Sequence, residues 1–231
     1  MKQDGYITTN CPVCQRQIPL SDLDLYNALQ LKIYHSLIWK NTFWMGNQVF
    51  KCVFDLWALQ EILYETRPDI IIETGTGNGG SALFIAHTLC HINKGFVITI
   101  DNEKRKTPHH KRIYYLIGSS ISKKIIDEIH NLKSKLLEPR IMVILDSNHL
   151  SGYVLKELNI YNKFVTKGQY LIVEDTNLGG NPVQSPMLKK DPGPIKAVKE
   201  FLKHNKDFAV DRSREKFGVT FNPEGYLLRI R

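Results

Sequence analysis

No stretch of this 231-residue chain approaches the roughly 20 consecutive apolar residues that a membrane-spanning helix needs. Its N-terminus carries no apolar h-region, so no secretory signal is expected. Cysteine is scarce. Cys11, Cys14, Cys52 and Cys90 make no disulfide framework, and a reducing cytoplasm fits them. Cys11-Pro12-Val13-Cys14 is half of a zinc knuckle. No second Cys-x-x-Cys or histidine pair follows at finger spacing, so the pair reads as incidental or redox-sensitive rather than as structural zinc. Aromatics are missing from the basic stretch Lys104 to Arg112 until Tyr114 and Tyr115, which argues against nucleic acid. A solvated loop is the plain reading of that stretch, and a patch for an acidic substrate the sharper one.

What is present belongs to an ordinary globular protein. The apolar fraction is 42%, enough for a sizeable core, and the net charge of +8 bears on partners rather than on fold. Residues 1–54 read as a helical and irregular extension, and 55–231 as the main domain. Within the extension, Leu23, Tyr26, Leu29, Ile33 and Leu37 repeat at helical spacing over 21–38 behind Ser21 and Asp22. Trp39, Phe43, Trp44, Met45, Phe50 and Phe54 form an irregular aromatic segment, suited to packing or to a wall of a site. Asp55 is placed to cap a helix to about Thr66. From Asp69 onward strands and helices alternate. Strands are expected at 69–74, 96–100, 113–117, 141–145 and 170–173, and helical patterns follow the first, third, fourth and fifth, the last starting at Pro194. The tail, 208–210, 217–221 and 226–230, reads as strands alone. Five strand–helix units predict a mostly parallel, doubly wound α/β sheet, and the tail adds an antiparallel hairpin at its edge.

Ligands in such sheets bind beyond the carboxyl ends of the strands. Those ends carry Glu73, Asp101, Asp146 and the pair Glu174-Asp175. After the first strand comes Gly75-Thr76-Gly77-Asn78-Gly79-Gly80-Ser81, a turn that lets a ligand approach the backbone and presents a helix N-terminus to it. The pattern matches a dinucleotide fingerprint. Yet Glu73 just before it would repel a pyrophosphate, whereas it suits a cationic ammonium. The acidic pair after strand five has no role at a nicotinamide, and a second mononucleotide half is lacking. S-adenosylmethionine fits better: its amino-acid end toward Glu73, Gly75, Gly77, Gly79 and Ser81, its ribose toward Asp101, its adenine toward Gly118-Ser119-Ser120.

Asp146, Glu174 and Asp175 form a second constellation. Carboxylates so placed repel one another unless a cation intervenes, and oxygen donors suit Mg²⁺ or a similar divalent ion. Consecutive Glu174 and Asp175 can share one ion only if the chain leaves the strand there. His149, three residues after Asp146, is placed to take a proton from an acceptor hydroxyl.

Further segments carry a resemblance: Trp44-Met45-Gly46, Asp55-Leu56-Trp57 with Gln60-Glu61, Glu73-Thr74-Gly75 with Asn78 to Ser81, Leu145 to His149, Tyr170 to Asn177, Gly193-Pro194 with Ala197-Val198, Glu215 to Phe217, and Pro223 to Leu227. Through these the chain resembles, from about Trp44 to its C-terminus, the cephalosporin hydroxylase family, which includes rhamnosyl O-methyltransferases. The resemblance implies a Rossmann-like class I methyltransferase fold with a seven-stranded sheet. It also implies S-adenosylmethionine as methyl donor and a divalent metal on Asp146, Glu174 and Asp175, Asp146 also bordering the donor. His149 matches the base position of related Mg²⁺-dependent macrolide-sugar O-methyltransferases. The expected acceptor is a sugar or other small hydroxylated metabolite, with no nucleic acid and no membrane span. A homo-oligomer is compatible with the sequence, which sets no oligomeric state. Residues 181–191 read as a lid or a surface loop beside the metal.

Two other classes compete. An Fe(II) oxygenase, taking the family name literally, needs two histidines and a carboxylate, and no His-x-Asp or His-x-Glu occurs among the eight histidines. A non-catalytic binding protein would leave the strand-end carboxylates without a purpose.

Overall fold

The computed structural model describes residues 6–10 and 17–231, with side chains from residue 25 onward. Cys11 and Cys14 lie outside the described residues. In chain order the elements are a hairpin of β1 (Tyr6–Asn10) and β2 (Gln17–Ser21), helix α1 (Asp22–His35), and a short hairpin of β3 (Phe43–Trp44) and β4 (Asn47–Gln48). Then come α2 (Val53–Thr66), β5 (Ile70–Thr74), α3 (Gly80–His91), β6 (Phe96–Asp101) and β7 (Ile113–Ile117). The chain continues with α4 (Lys123–Lys133), β8 (Ile141–Leu145), α5 (Ser151–Tyr161), β9 (Tyr170–Val173), α6 (Pro194–His204), β10 (Phe208–Val210) and β11 (Tyr226–Arg229).

Seven strands form one sheet in the order β10-β11-β9-β8-β5-β6-β7. β7, β6, β5, β8 and β9 run parallel, and β11 and β10 pair antiparallel at the far edge. The expected doubly wound sheet with an antiparallel C-terminal pair is what forms. Strand alternation decides the layers. Ile70, Ile72, Ile98, Ile100, Val143 and Leu171 face α4, α5 and α6 through Ile125, Ile129, Leu158 and Phe201. Ile71, Val97, Met142, Ile144 and Ile172 face α2 and α3 through Ile62, Leu63, Ile85 and Leu89. With both faces covered, the central strands are continuously apolar, which is why they read as buried. Among the described residues no helix is long and apolar enough to cross a membrane.

Three local expectations differ from the structure. Asp55 caps nothing: α2 begins at Val53, its N-cap Cys52 makes no side-chain cap bond, and Asp55 is buried in the first turn. Its carboxyl accepts from Thr220 Oγ1, from the Phe221 N–H at 2.8 Å and from Tyr226 Oη at 3.0 Å. Residues 217–221, expected as a strand, form none, because their backbone is spent on such contacts. The Asn177 N–H, for instance, donates to Phe221 O at 3.1 Å. Among the described side chains of α1 the buried one is Gln30, which donates to Thr220 O at 2.6 Å, while Tyr26, Leu29 and Leu37 of the expected stripe are exposed.

Burial outweighs the three donors and pushes the Asp55 carboxyl up to about 7. The folded state therefore keeps this proton where the unfolded chain has lost it. The group's contribution to stability falls as pH rises from about 4 to about 7, at about 1.4 kcal/mol per pH unit for one proton. Urea unfolding should show wild type losing more stability between pH 5 and pH 7 than Asp55→Asn. Equal losses in the two proteins contradict the assignment.

Candidate active site

Strand register builds the site. Thr74 is level with Ile100 and with Leu145, and Leu145 with Val173. The next residues, Gly75, Asp101, Asp146 and Glu174, thus form one row along the carboxyl edge of the sheet. Backbone bonds extend the ladder into that row, from Gly75 N–H to Ile100 O at 2.8 Å, Asp146 N–H to Thr74 O at 2.9 Å and Glu174 N–H to Leu145 O at 3.0 Å. Gly75, Asp101 and Asp146 of this row border a cleft of about 510 Å³, lined also by Gly77, Ser81, His149 and Asp175, while Glu174 is not among its lining residues.

The glycine turn does two jobs. A side chain on Gly75 would meet Asp146 O at 1.9 Å, and one on Gly80 would meet Gln48 O at 2.1 Å, so these glycines serve close backbone packing. Gly77 meets nothing nearer than Phe50 at 3.9 Å and faces the cleft. Its N–H donates to Asp101 Oδ2 at 3.0 Å, and Glu103 N–H donates to Asp101 Oδ1 at 3.1 Å. Both oxygens of Asp101 retain lone pairs for ligand hydroxyls.

Not every expected residue borders the cleft. Gly79 caps α3 and packs on Thr107 and Pro108. Glu73 lies wholly buried beneath the floor. Its Oε2 accepts from Thr99 Oγ1 at 2.6 Å, while Oε1 has no partner. Burial pushes its carboxyl up to about 7 despite the nearby Lys51 ammonium. Ser119 turns to Tyr153 Oη at 3.3 Å. Beside it a recess of about 60 Å³, lined by Gly118 and Ser120, shares Gly75, Asp101 and Ser147 with the cleft.

At the acidic end the chain leaves the sheet where two neighbouring carboxylates need it to. β9 stops at Val173, and Asp175 takes the left-handed conformation, φ 57°, which Asp tolerates better than most residues. Asn222 Oδ1 accepts from the Asp175 N–H at 2.9 Å and holds the turn. Asp146, His149 and Asp175 each bring one ligating atom within 4.8 Å of the others. His149 Nε2 is 3.3 Å from Asp175 Oδ2, which leaves Nδ1 for another partner. Burial pushes the Asp175 carboxyl up to about 6, and Asp146 and Glu174 add to this, while His149 and Lys51 oppose it.

Sequence reading did not single out Lys51. Only 4% exposed, its ammonium sits 2.7 Å from Asp146 Oδ2 and 3.0 Å from Glu174 Oε1. Burial disfavours its charge, but Asp146, Glu174 and Glu73 more than compensate and raise its pKa well above the usual value. The signal was a single charge inside Val49-Phe50-Lys51-Cys52-Val53-Phe54. Tyr34, Trp39, Phe50, Phe221 and Met187 also line the cleft. Trp39 stacks on Tyr34 at 5.6 Å and meets Phe221 edge-on at 6.2 Å, so the aromatic segment supplies a wall. Residues 181–191 are tied down at Asp191, which accepts from the Ser151 N–H at 2.9 Å and the Gly193 N–H at 2.8 Å, and Met187 reaches the cleft. Of the basic stretch, Arg105 lines the cleft and Arg112 donates to Gly95 O at 2.6 Å.

A family model described as rhamnosyl O-methyltransferase/CmcI matches residues 36–230. A rhamnosyl O-methyltransferase of Mycobacterium tuberculosis is 37% identical over 203 residues, covering 85% of this chain and 81% of its own length. A protein of the same name from Mycobacterium leprae is 37% identical over 202 residues, covering 85% and 86%. Among solved structures, a CmcI form with Mg and SAM aligns at a TM-score of 0.63 and 20% identity, over 83% of this chain and 78% of that one. An O-methyltransferase from Bacillus cereus in complex with SAH aligns at 0.51 and 15% identity, over 83% of each. At these identities the two structures speak to the fold, which is the Rossmann-like methyltransferase fold.

Proposed function

This chain belongs to the rhamnosyl O-methyltransferase/CmcI family, and from that premise we propose how it acts: it transfers the methyl group of S-adenosylmethionine to a hydroxyl of a sugar or other small natural product, with the help of Mg²⁺ or a similar cation. The observation that carries this reading is the row of carboxylates one step beyond the glycine turn, with His149 against Asp175, along a single cleft. Gly75, Gly77 and Ser81 border the methyl donor, and Asp101 accepts from its ribose hydroxyls. Glu73, Gly79 and Ser119 support that end from behind.

The donor set fits a divalent cation. Asp146 and Asp175 offer carboxylate oxygens to the cleft, while Glu174, expected as a third ligand, lies outside the cluster with its Oε1 3.0 Å from the Lys51 ammonium. When bound there, such an ion supplies Lewis-acid polarisation of the acceptor hydroxyl. The remaining work belongs to the chain. His149 Nε2 lies 3.3 Å from Asp175 Oδ2, which leaves Nδ1 as the basic nitrogen that removes the hydroxyl proton. Trp39, Phe50 and Met187 exclude water and hold the acceptor's apolar face, so that its oxygen meets the methyl group in line. Of the 1–54 extension, Trp39 and Phe50 belong to this wall, while Met187 comes from 55–231, the catalytic domain. An iron oxygenase fares worse, since among the described residues the candidate cluster holds one histidine, not two. Cys52 and Cys90 are free thiols, consistent with the cytoplasmic setting we assign.

Labelled methyl transfer into a panel of hydroxylated sugars and glycosides, with and without Mg²⁺, tests the reading. Wild type should transfer label only with the metal. His149→Ala should lose about 10²–10⁴ of the rate, the usual worth of a positioned base. No transfer to any acceptor together with no calorimetric binding of S-adenosylmethionine sinks the proposal, and full activity in His149→Ala removes the base.

A further inference from the structure

Lys51 is the buried cation of the acidic row, and its placement bears on how a metal enters. It comes from the segment between β4 and α2, whereas Asp146 and Glu174 stand at the ends of β8 and β9. Its ammonium lies between their carboxylates, 2.7 Å from one and 3.0 Å from the other, with Glu174 scarcely exposed. Two carboxylates bridged by one cation is the charge arrangement a divalent ion would create. A buried carboxylate pair without any cation is strongly disfavoured. The ammonium is therefore what allows these groups to sit together before a metal arrives.

Ammonium and metal cannot both claim the same oxygens. Mg²⁺ needs donor oxygens at about 2.0–2.1 Å in near-octahedral geometry. Lys51 directs a positive charge at one oxygen of Asp146 and one of Glu174 from hydrogen-bond distance, where like charges repel. Asp175 and His149 contact each other rather than Lys51. Lys51 also lines the cleft, so its flexible stem has space to withdraw into. We propose that the Lys51 ammonium is a resident stand-in for the divalent cation: it holds Asp146 and Glu174 together in the metal-free protein and releases Glu174 when the ion binds. This rests on the reading that the row takes a divalent ion. Its consequence is a site built before the metal comes, at the expense of affinity for the metal.

The test uses Mn²⁺ as probe, with free ion counted by electron paramagnetic resonance, on the full chain as wild type, Lys51→Met and Lys51→Gln. Removing the competing charge should tighten Mn²⁺ binding at least about tenfold in both variants. The rise in Tm on adding Mn²⁺ should also be larger than in wild type. If Lys51→Met is unfolded without metal, recovery of cooperative unfolding on adding Mn²⁺ is the expected result, and Lys51→Gln supplies the binding constant. Equal or weaker Mn²⁺ binding in the variants overturns the stand-in role while leaving the metal reading intact. Absence of Mn²⁺ binding in all three proteins overturns the metal reading, and the stand-in role with it.

Discussion

Asp175→Asn should lower metal-dependent methyl transfer by about 10³-fold or more while leaving the protein as stable as wild type, or more stable. The activity loss follows from position. Among the described residues Asp175 is the carboxylate that both borders the cleft and touches His149, so on the proposed reading its replacement removes a cation ligand and the group that orients the base. A metal that polarises the acceptor contributes several kcal/mol, and about 1.4 kcal/mol is one decade of rate. The stability result follows from charge. The Asp175 carboxyl sits at about 6, above its ordinary value, because burial and its acidic neighbours oppose ionisation. Without metal its ionised form therefore weakens the fold near neutral pH, and that contribution is lost as pH falls below about 6. Asn is uncharged, keeps the shape and tolerates the left-handed backbone at φ 57°. Initial rates with saturating Mg²⁺ and a thermal melt at pH 7.5 read both effects. Activity within tenfold of wild type refutes the assignment.

Gly75→Ala should cost more than about 4 kcal/mol and lower Tm by about 10 °C, whereas Gly77→Ala, two residues on, should cost about 1 kcal/mol. Both glycines have positive φ, 91° and 53°. The difference is space. A methyl group on Gly75 would lie 1.9 Å from Asp146 O and 2.5 Å from its carbonyl carbon, and this is backbone that β5 and β8 hold in register. At Gly77 the nearest atom is 3.9 Å away, so only the left-handed backbone is penalised. Chemical denaturation of the two variants decides the matter. Equal stabilities contradict the close approach.

The row of site residues was legible because it depends on short-range pattern. Apolar runs such as Ile141–Leu145 and Tyr170–Val173 end at acidic residues, and parallel register brings those ends level. What was missed depends on long-range partners. Asp55 carries a residue type suited to capping, but its partners Thr220, Phe221 and Tyr226 lie more than 160 positions away, and they draw it into the interior. The same contacts consume the backbone that would have made 217–221 a strand. Gln30 is buried against spacing because Thr220 O receives its amide. Lys51 was passed over because one lysine in an apolar stretch says nothing of the two carboxylates about 95 and 123 positions later that call for it. Gly79 looked like a ligand contact in a glycine-rich motif. The packing of Thr107 and Pro108 against it belongs to tertiary structure, which the motif alone does not contain.

The wall of Tyr34, Trp39, Phe50 and Met187 stands outside the seven-stranded sheet, on segments that pair with none of its strands. Exchanging a ring or a thioether there alters no register and no ladder bond. On the proposed reading, changes at Tyr34, Trp39, Phe50 and Met187 alter which acceptor is held while leaving the backbone packing at Gly75 and Gly80 untouched.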